Sequence, residues 1–244
     1  MHTTSSRLIL SLLLTAGTIV APDPAAADAA TVKPFKATYA VNYRGIGAGT
    51  LQMQLLRDPQ TGQYTFETRA NPSFLARFAV SRNAIETSVM EITDTGVRPL
   101  QWQLDDGKSG NAGDGTLAFD WAGQSVSGEY RGTPVSLQTE AGLQDRQSVQ
   151  IQVIFDLLRG RDPGEMSMIN DDQIKEYAYK RGNSAPVQTK LGSVEAVLFE
   201  STRAGSSRVS RVWHAPSFGY VPVRAEQVRK GKVETVMTLI ALEQ

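Results

Sequence analysis

One period dominates this chain, and it is two. In Phe35, Ala37, Tyr39, Val41 and Tyr43 the odd positions are apolar, with Lys36, Thr38 and Asn42 between them and Ala40 as the one exception. Leu51, Met53 and Leu55 alternate with glutamines; Tyr64 and Phe66 alternate with Thr65 and Glu67; Leu100, Trp102 and Leu104 alternate with Gln101 and Gln103. Leu117, Phe119 and Trp121 repeat the pattern. Successive side chains of a strand point to opposite faces, so this alternation marks sheet with one face buried and the other wet. Turn residues separate the runs, as in Pro59-Gln60-Thr61-Gly62, Asp94-Thr95-Gly96, Ala122-Gly123 and Arg131-Gly132. After residue 160 further strand candidates follow at Tyr177–Tyr179, Val197–Phe199, Val209–Trp213, Val221–Ala225 and Val233–Leu242. Short strands at this spacing predict antiparallel meanders folded into a sandwich or barrel.

Two segments break the period. "NPSFLARF", residues 71–78, predicts a helical turn capped by Asn71 with Pro72 in its first position. Leu143 to Arg159 predicts the one long helix, with Asp145 as N-cap and Gly160 as its stop. Its apolar residues, among them Val149, Ile151, Val153, Ile154, Phe155 and Leu157, cover well over half the helix circumference. A surface helix needs only a stripe, so this one is expected against or inside a sheet. The fold class is therefore mainly β: a curved antiparallel sheet forming an open or closed barrel-like domain, with one long helix packed against it. Glycine-rich Gly107–Gly115 reads as a hairpin loop and no domain boundary is visible, so residues 30–244 form a single β-rich domain.

Residues 1–29 carry Arg7, an apolar run from Leu8 to Ala21, and small-residue cleavage sites at Ala25-Ala26-Ala27 and Ala27-Asp28-Ala29. This is the pattern of a secretory signal peptide, and the apolar run is shorter than the roughly 20 residues that span a bilayer. The expected location is the periplasm. No cysteine follows the apolar run, so lipoprotein acylation is not expected.

Several chemistries find no support. In "YRGIGAGTL" Gly45, Gly47 and Gly49 suggest a phosphate loop, but the period-two run Thr50–Leu55 makes the next element a strand, not the helix such a loop requires. The glycines are expected to supply a hairpin turn or bulge. With 25 basic and 25 acidic residues and no basic stripe, nucleic acid is not an expected partner. No later segment is apolar enough to form a transmembrane segment. The chain has no cysteine, and His214 is the one histidine outside the leader. A metal site built on nitrogen and sulfur is thus not expected, and no cofactor is implied. His214 reads as a rim residue beside Trp213. Asp105-Asp106 and Asp171-Asp172 read as solvated turn carboxylates, and a calcium loop from Asp106 fails because Lys108 holds a ligand position. No catalytic residues are nominated.

What remains is shape: a barrel of this size can fill its interior or enclose a cavity for an apolar guest. The candidate lining is Tyr39, Tyr43, Met53 and Phe66, then Trp102, Phe119 and Trp121, with Ile154 and Leu157 from the helix.

Four stretches carry a family resemblance: "FKATYAVNYRGIGAGTL", "GTLAFDW", "GLQDRQSVQIQVIFDLLRG" and "VWHAPSFGYVPVRAEQV". Through them the chain resembles, from about Pro34 to Leu242, the bacterial envelope proteins grouped as domain of unknown function 3108. The resemblance implies an exported β protein without catalytic residues to carry over. By looser analogy it is similar to the open half-barrels of lipoprotein carriers and envelope-stress regulators. The leading expectation is a non-enzymatic carrier for an apolar or amphipathic, lipid-like ligand. The alternatives are an interaction module that meets an envelope protein in assembly or stress sensing, and, third, an envelope-polymer hydrolase.

Overall fold

The computed structural model describes residues 31–74, 76, 81, 84–110 and 112–244. The first half of the chain gives β1 (Phe35–Tyr43), β2 (Ile46–Arg57), β3 (Tyr64–Pro72), β4 (Ile85–Ile92), β5 (Val97–Asp105), β6 (Gly115–Asp120), β7 (Ser125–Tyr130) and β8 (Thr133–Gln138). Helix α1 (Ser148–Leu158) follows. The second half gives β9 (Glu165–Asn170), β10 (Gln173–Thr189), β11 (Gly192–Thr202), β12 (Arg208–His214), β13 (Pro222–Arg229) and β14 (Lys232–Glu243).

These fourteen strands make one antiparallel sheet in the order β8-β7-β6-β5-β4-β3-β2-β1-β14-β13-β12-β11-β10-β9. The chain enters mid-sheet at β1, runs as a meander to the edge β8, crosses through α1 to the other edge β9, and returns to lie beside β1. Each neighbour is thus also the next strand in sequence, apart from the β1–β14 pair that joins the halves. The edges β8 and β9 do not pair, so the sheet is barrel-like and unclosed.

The helix is wrapped rather than laid on a surface. Ile151, Ile154 and Phe155 share a core with Phe35, Tyr39 and Phe66. Val153 and Leu157 instead meet Val197 and Phe199 of the other half. Apolar residues on more than one stripe are satisfied because the sheet curls around them. A third cluster fills the gap between the edges: Ile169 of β9 packs with Trp102, Val126, Val135 and Leu143. The chain just before the helix also covers the β9 edge. Gln144 N–H donates to Ser167 O (3.0 Å), and Gln144 O accepts from Ile169 N–H (2.9 Å).

That pairing shortens the helix relative to the sequence expectation of Leu143–Arg159, because Leu143 and Gln144 are committed to β9 instead. The cap falls where expected. Asp145 Oδ1 accepts the amides of Gln147 (2.7 Å) and Ser148 (2.8 Å), and Ser148 Oγ accepts Asp145 N–H (2.9 Å). At the other end Gly160 takes φ 67°, and Arg161 N–H reaches back to Asp156 O (2.9 Å), a Schellman closure.

The helix cap expected at Asn71, with Pro72 in the first turn, is corrected. Asn71 and Pro72 are the end of β3, opposite Thr50 and Gly49. Tertiary pairing overrides the local cap signal there; Leu75, Arg77 and Phe78 lie outside the described residues. The glycine question resolves as a hairpin. Arg44 and Gly45 both have positive φ (49° and 83°), as a two-residue turn of the I′ type requires. Gly49 has a different reason: a Cβ there would sit 2.3 Å from Asn71 O. The proposed leader, residues 1–29, lies outside the described residues.

Candidate functional site: a cleft between the helix and the second half of the sheet

The interior is filled on the β1–β8 side and open on the other. Between Val149, Gln150 and Val153 of α1 and strands β10–β14 lies a cleft of about 350 Å³. Its apolar wall is Phe199, Val212, Ala225 and Met237, closed by Met53 of β2 and Met168 of β9. Tyr177 and Tyr179, two apart on β10, line it from one side. The space exists because β11–β13 present Ser201, Ser210 and Ala225 inward where β1–β4 present Tyr39, Leu55, Phe66 and Met90.

His214 lies in this cleft, not on a rim beside Trp213 as the sequence suggested; it is only 4% exposed. Alternation along β12 puts His214 on the inner face. Trp213 faces the other way, its ring under the guanidinium of Arg224. His214 Nδ1 lies 2.8 Å from Tyr220 O, so Nδ1–H donates and Nε2 keeps its lone pair. Burial lowers the imidazole pKa to about 4, against the carbonyl contact that raises it, so the ring is neutral. Nε2 has no partner among the described residues. Burial also holds the Tyr179 phenol well above its ordinary range, and it stays protonated.

The charged groups of the cleft are already engaged. Arg146 Nε donates to Glu86 Oε1 (2.9 Å) and its guanidinium lies over the Trp102 ring. Glu226 accepts from Arg224 (2.6 Å). Behind the helix, the buried carboxyl of Asp145 also accepts from Ser88 Oγ (2.6 Å), yet desolvation, the largest cause, raises its pKa to about 6.

Of the nine residues read as cavity lining, Met53 alone lines this cleft. Tyr39, Phe66 and Ile154 fill the main core, and the Tyr39 hydroxyl donates to Pro222 O (2.9 Å). Leu157 packs on Phe199 from behind. Trp102 and Phe119 belong to the separate cluster near β8, and Trp121 stacks on Phe119. Tyr43 is 48% exposed, because β1 runs beyond the covered interior into the Arg44-Gly45 hairpin. The alternation reports a face; it does not report where along the strand the cover ends.

Two other features lie apart. A larger depression, about 740 Å³, sits at the open seam and is walled by Thr93, Thr95, Gly142, Gly164 and Asp156. Its walls are more polar than those of the cleft, with Arg98, Gln152 and Asp156 set among Val97, Trp121 and Met166. In the β5–β6 loop the carboxylates of Asp105, Asp106 and Asp114 converge. Each already accepts a backbone amide, and Lys108 Nζ stands 3.5 Å from Asp106 Oδ2. The lysine supplies the positive charge a cation would bring. Chelator is therefore expected to leave the melting temperature unchanged, and a rise on adding calcium would overturn this. Among the described residues no helix is long and apolar enough to cross a membrane.

The family profile of the protein of unknown function DUF3108 matches residues 38–238, nearly the whole described sheet. The chain belongs to this family. No curated protein matches this DUF3108 chain. Among solved structures it is similar to a β-barrel-like protein of the domain of unknown function DUF1849 from Brucella abortus, at a TM-score of 0.52 and 11% identity, covering 86% of this chain and 97% of that one. A candidate lipoprotein from Parabacteroides distasonis follows, with a TM-score of 0.36, 10% identity and coverage of 87% and 96%. A candidate exported protein with a YmcC-like fold from Bacteroides fragilis has a TM-score of 0.29, 11% identity and coverage of 86% and 94%. Of these three, the first exceeds 0.5, and at its identity it bears on the fold alone.

Proposed function

We propose that this DUF3108 protein is exported to the periplasm and acts there, without catalysis, as a binding protein for an apolar or amphipathic ligand of the cell envelope. The observation that carries the reading is the apolar cleft beside α1, left open in an interior that is otherwise packed. At about 350 Å³ it lies at the small end of ligand pockets, which span roughly 300–1,000 Å³. That is room for about a dozen water-sized groups at about 30 Å³ each. A chain of about ten carbons fits; a whole phospholipid does not. Ten methylenes at about 0.8 kcal/mol each give about 8 kcal/mol, a micromolar dissociation constant before ordering costs.

The polar group of such a ligand is constrained by His214. A neutral imidazole with a bare Nε2 accepts a hydrogen bond, so it favours a hydroxyl or amide. It gives no pairing to a carboxylate, and the one cation of the cleft, Arg146, is already paired with Glu86. No carboxylate orients His214, whose Nδ1 partner is a backbone carbonyl, which speaks for binding rather than triad chemistry.

The test is displacement of a fluorescent acyl probe. Saturable micromolar binding is expected, with decanol competing better than decanoate. Ala225→Trp should abolish binding while circular dichroism and melting are retained, and His214→Leu should erase the preference for the alcohol. Absence of saturable binding, or full binding by Ala225→Trp, would end this reading in favour of a protein-interaction module.

A further inference from the structure

One end of the sheet carries apolar tips and clustered cations together. Register places them. Ser201, Ser210, Gln227 and Thr235 stand opposite one another across β11–β14, and Thr235 faces Tyr43 of β1, which faces Ile46 of β2. This row includes the outer end of the cleft. Further out, Arg208 pairs with Arg229 and Arg229 with Lys232. The β13–β14 hairpin turns through Lys230, and Lys230 N–H donates to Ser207 O (3.0 Å) of the neighbouring hairpin.

The result is a rim with five exposed cations: Arg44, Arg208, Arg229, Lys230 and Lys232. The one carboxylate among them, Glu234, is held by Arg44 Nη2 at 2.7 Å, and the fields of Arg229 and Arg208 help keep its pKa low. In a chain with equal numbers of acids and bases this is a local concentration. Four of these cations, with Val233 and Glu234, also wall a depression of about 560 Å³. Around it the large apolar side chains face water: Ile46 is 65% exposed, Tyr43 48% and Val233 43%. An exposed isoleucine or tyrosine is unremarkable singly. Three at adjacent hairpins, ringed by cations, form one surface.

We infer that this hairpin end docks on an anionic phospholipid surface, with Tyr43, Ile46 and Val233 entering the headgroup boundary and the cations over the lipid phosphates. Cations attract the charged leaflet and apolar tips supply burial, which is how interfacial segments bind. The mixture distinguishes a bilayer from a purely polar acidic partner, for which the exposed Ile46 would have no use. The arrangement sets the outer end of the cleft against the membrane, where apolar molecules are held. Docking itself does not depend on the cleft being loaded.

The test is co-sedimentation of protein purified after export with vesicles of phosphatidylcholine alone or enriched in phosphatidylglycerol. Binding is expected to the anionic vesicles only, and to fall as salt screens the cations. Each cation removed costs about five-fold in partitioning, so Lys230→Glu with Lys232→Glu should lose at least about 25-fold. Ile46→Ser, at a solvent-exposed position that leaves folding alone, should weaken binding at every salt concentration. Equal binding to both vesicle types, or retention by the double variant, would overturn the inference. Binding to soluble polyglutamate as tight as to vesicles would overturn it too, assigning the rim to an acidic protein.

Discussion

Replacing Leu157 by aspartate is expected to unfold the protein. Leu157 is 4% exposed and sits on the face of α1 that meets Val197 and Phe199. Truncating a buried leucine to alanine costs about 2–5 kcal/mol. Aspartate adds the burial of an unpaired carboxylate, several kcal/mol more. Together these rival the roughly 5–15 kcal/mol that a domain has. Leu157→Ala provides the graded comparison. It should fold with its melting temperature lowered by about 5–15 °C, at roughly 2–4 °C per kcal/mol for this size. Both are read by thermal melting. If Leu157→Asp melts like the parent, α1 is a peripheral strap and the account of a sheet wrapped around a helix is wrong.

The helix and the strands were legible because their signals are local. Alternation from Phe35 and the apolar run from Val149 to Leu158 fix which residues face inward, whatever they face. The order of strands was not legible. The Tyr39 hydroxyl meets Pro222 O across 183 positions of sequence, and nothing near either residue encodes that pairing. The site was hidden for the same reason. Large aromatics on the inner face suggest a lining, but large side chains fill space; Phe66 is 1% exposed in the packed core. A cleft forms where small side chains fall on neighbouring strands, as Ser201, Ser210 and Ala225 do. Seeing this in sequence requires the register of β11 on β12 and of β12 on β13. The burial of His214, by contrast, is written in the strand itself: the parity that puts Val212 inside puts His214 inside too.

His214 and Asp145 give the second large effect, and it is one of opposed signs. His214 has its pKa lowered to about 4 by burial, from an ordinary 6.5. The folded state therefore binds fewer protons than the unfolded one, and the stability His214 contributes is lost as pH falls from about 6.5 through about 4. Asp145 has its pKa raised to about 6 from 3.8, again by burial, with the Glu86 charge adding to it and the bonds from Ser88, Ser148 and Gln147 opposing. Its contribution is full below about 3.8 and is lost as pH rises through about 6. At about 1.4 kcal/mol per pKa unit each amounts to about 3 kcal/mol, and they act over the same window. In the parent protein they largely cancel. Asp145→Asn keeps an N-cap acceptor for the amides of Gln147 and Ser148, so it should fold, and it should expose the histidine slope. Its stability is expected to drop by about 3 kcal/mol between pH 6.5 and pH 4. His214→Gln should expose the carboxyl slope and gain relative stability over the same acidification. Carboxylates remote from both groups titrate alike in all three proteins, so the differences between them isolate the two buried groups. Urea unfolding midpoints at pH 4, 5 and 6.5 measure this directly, and pH profiles of the two variants that run parallel to the parent would show that neither group is buried as the fold requires.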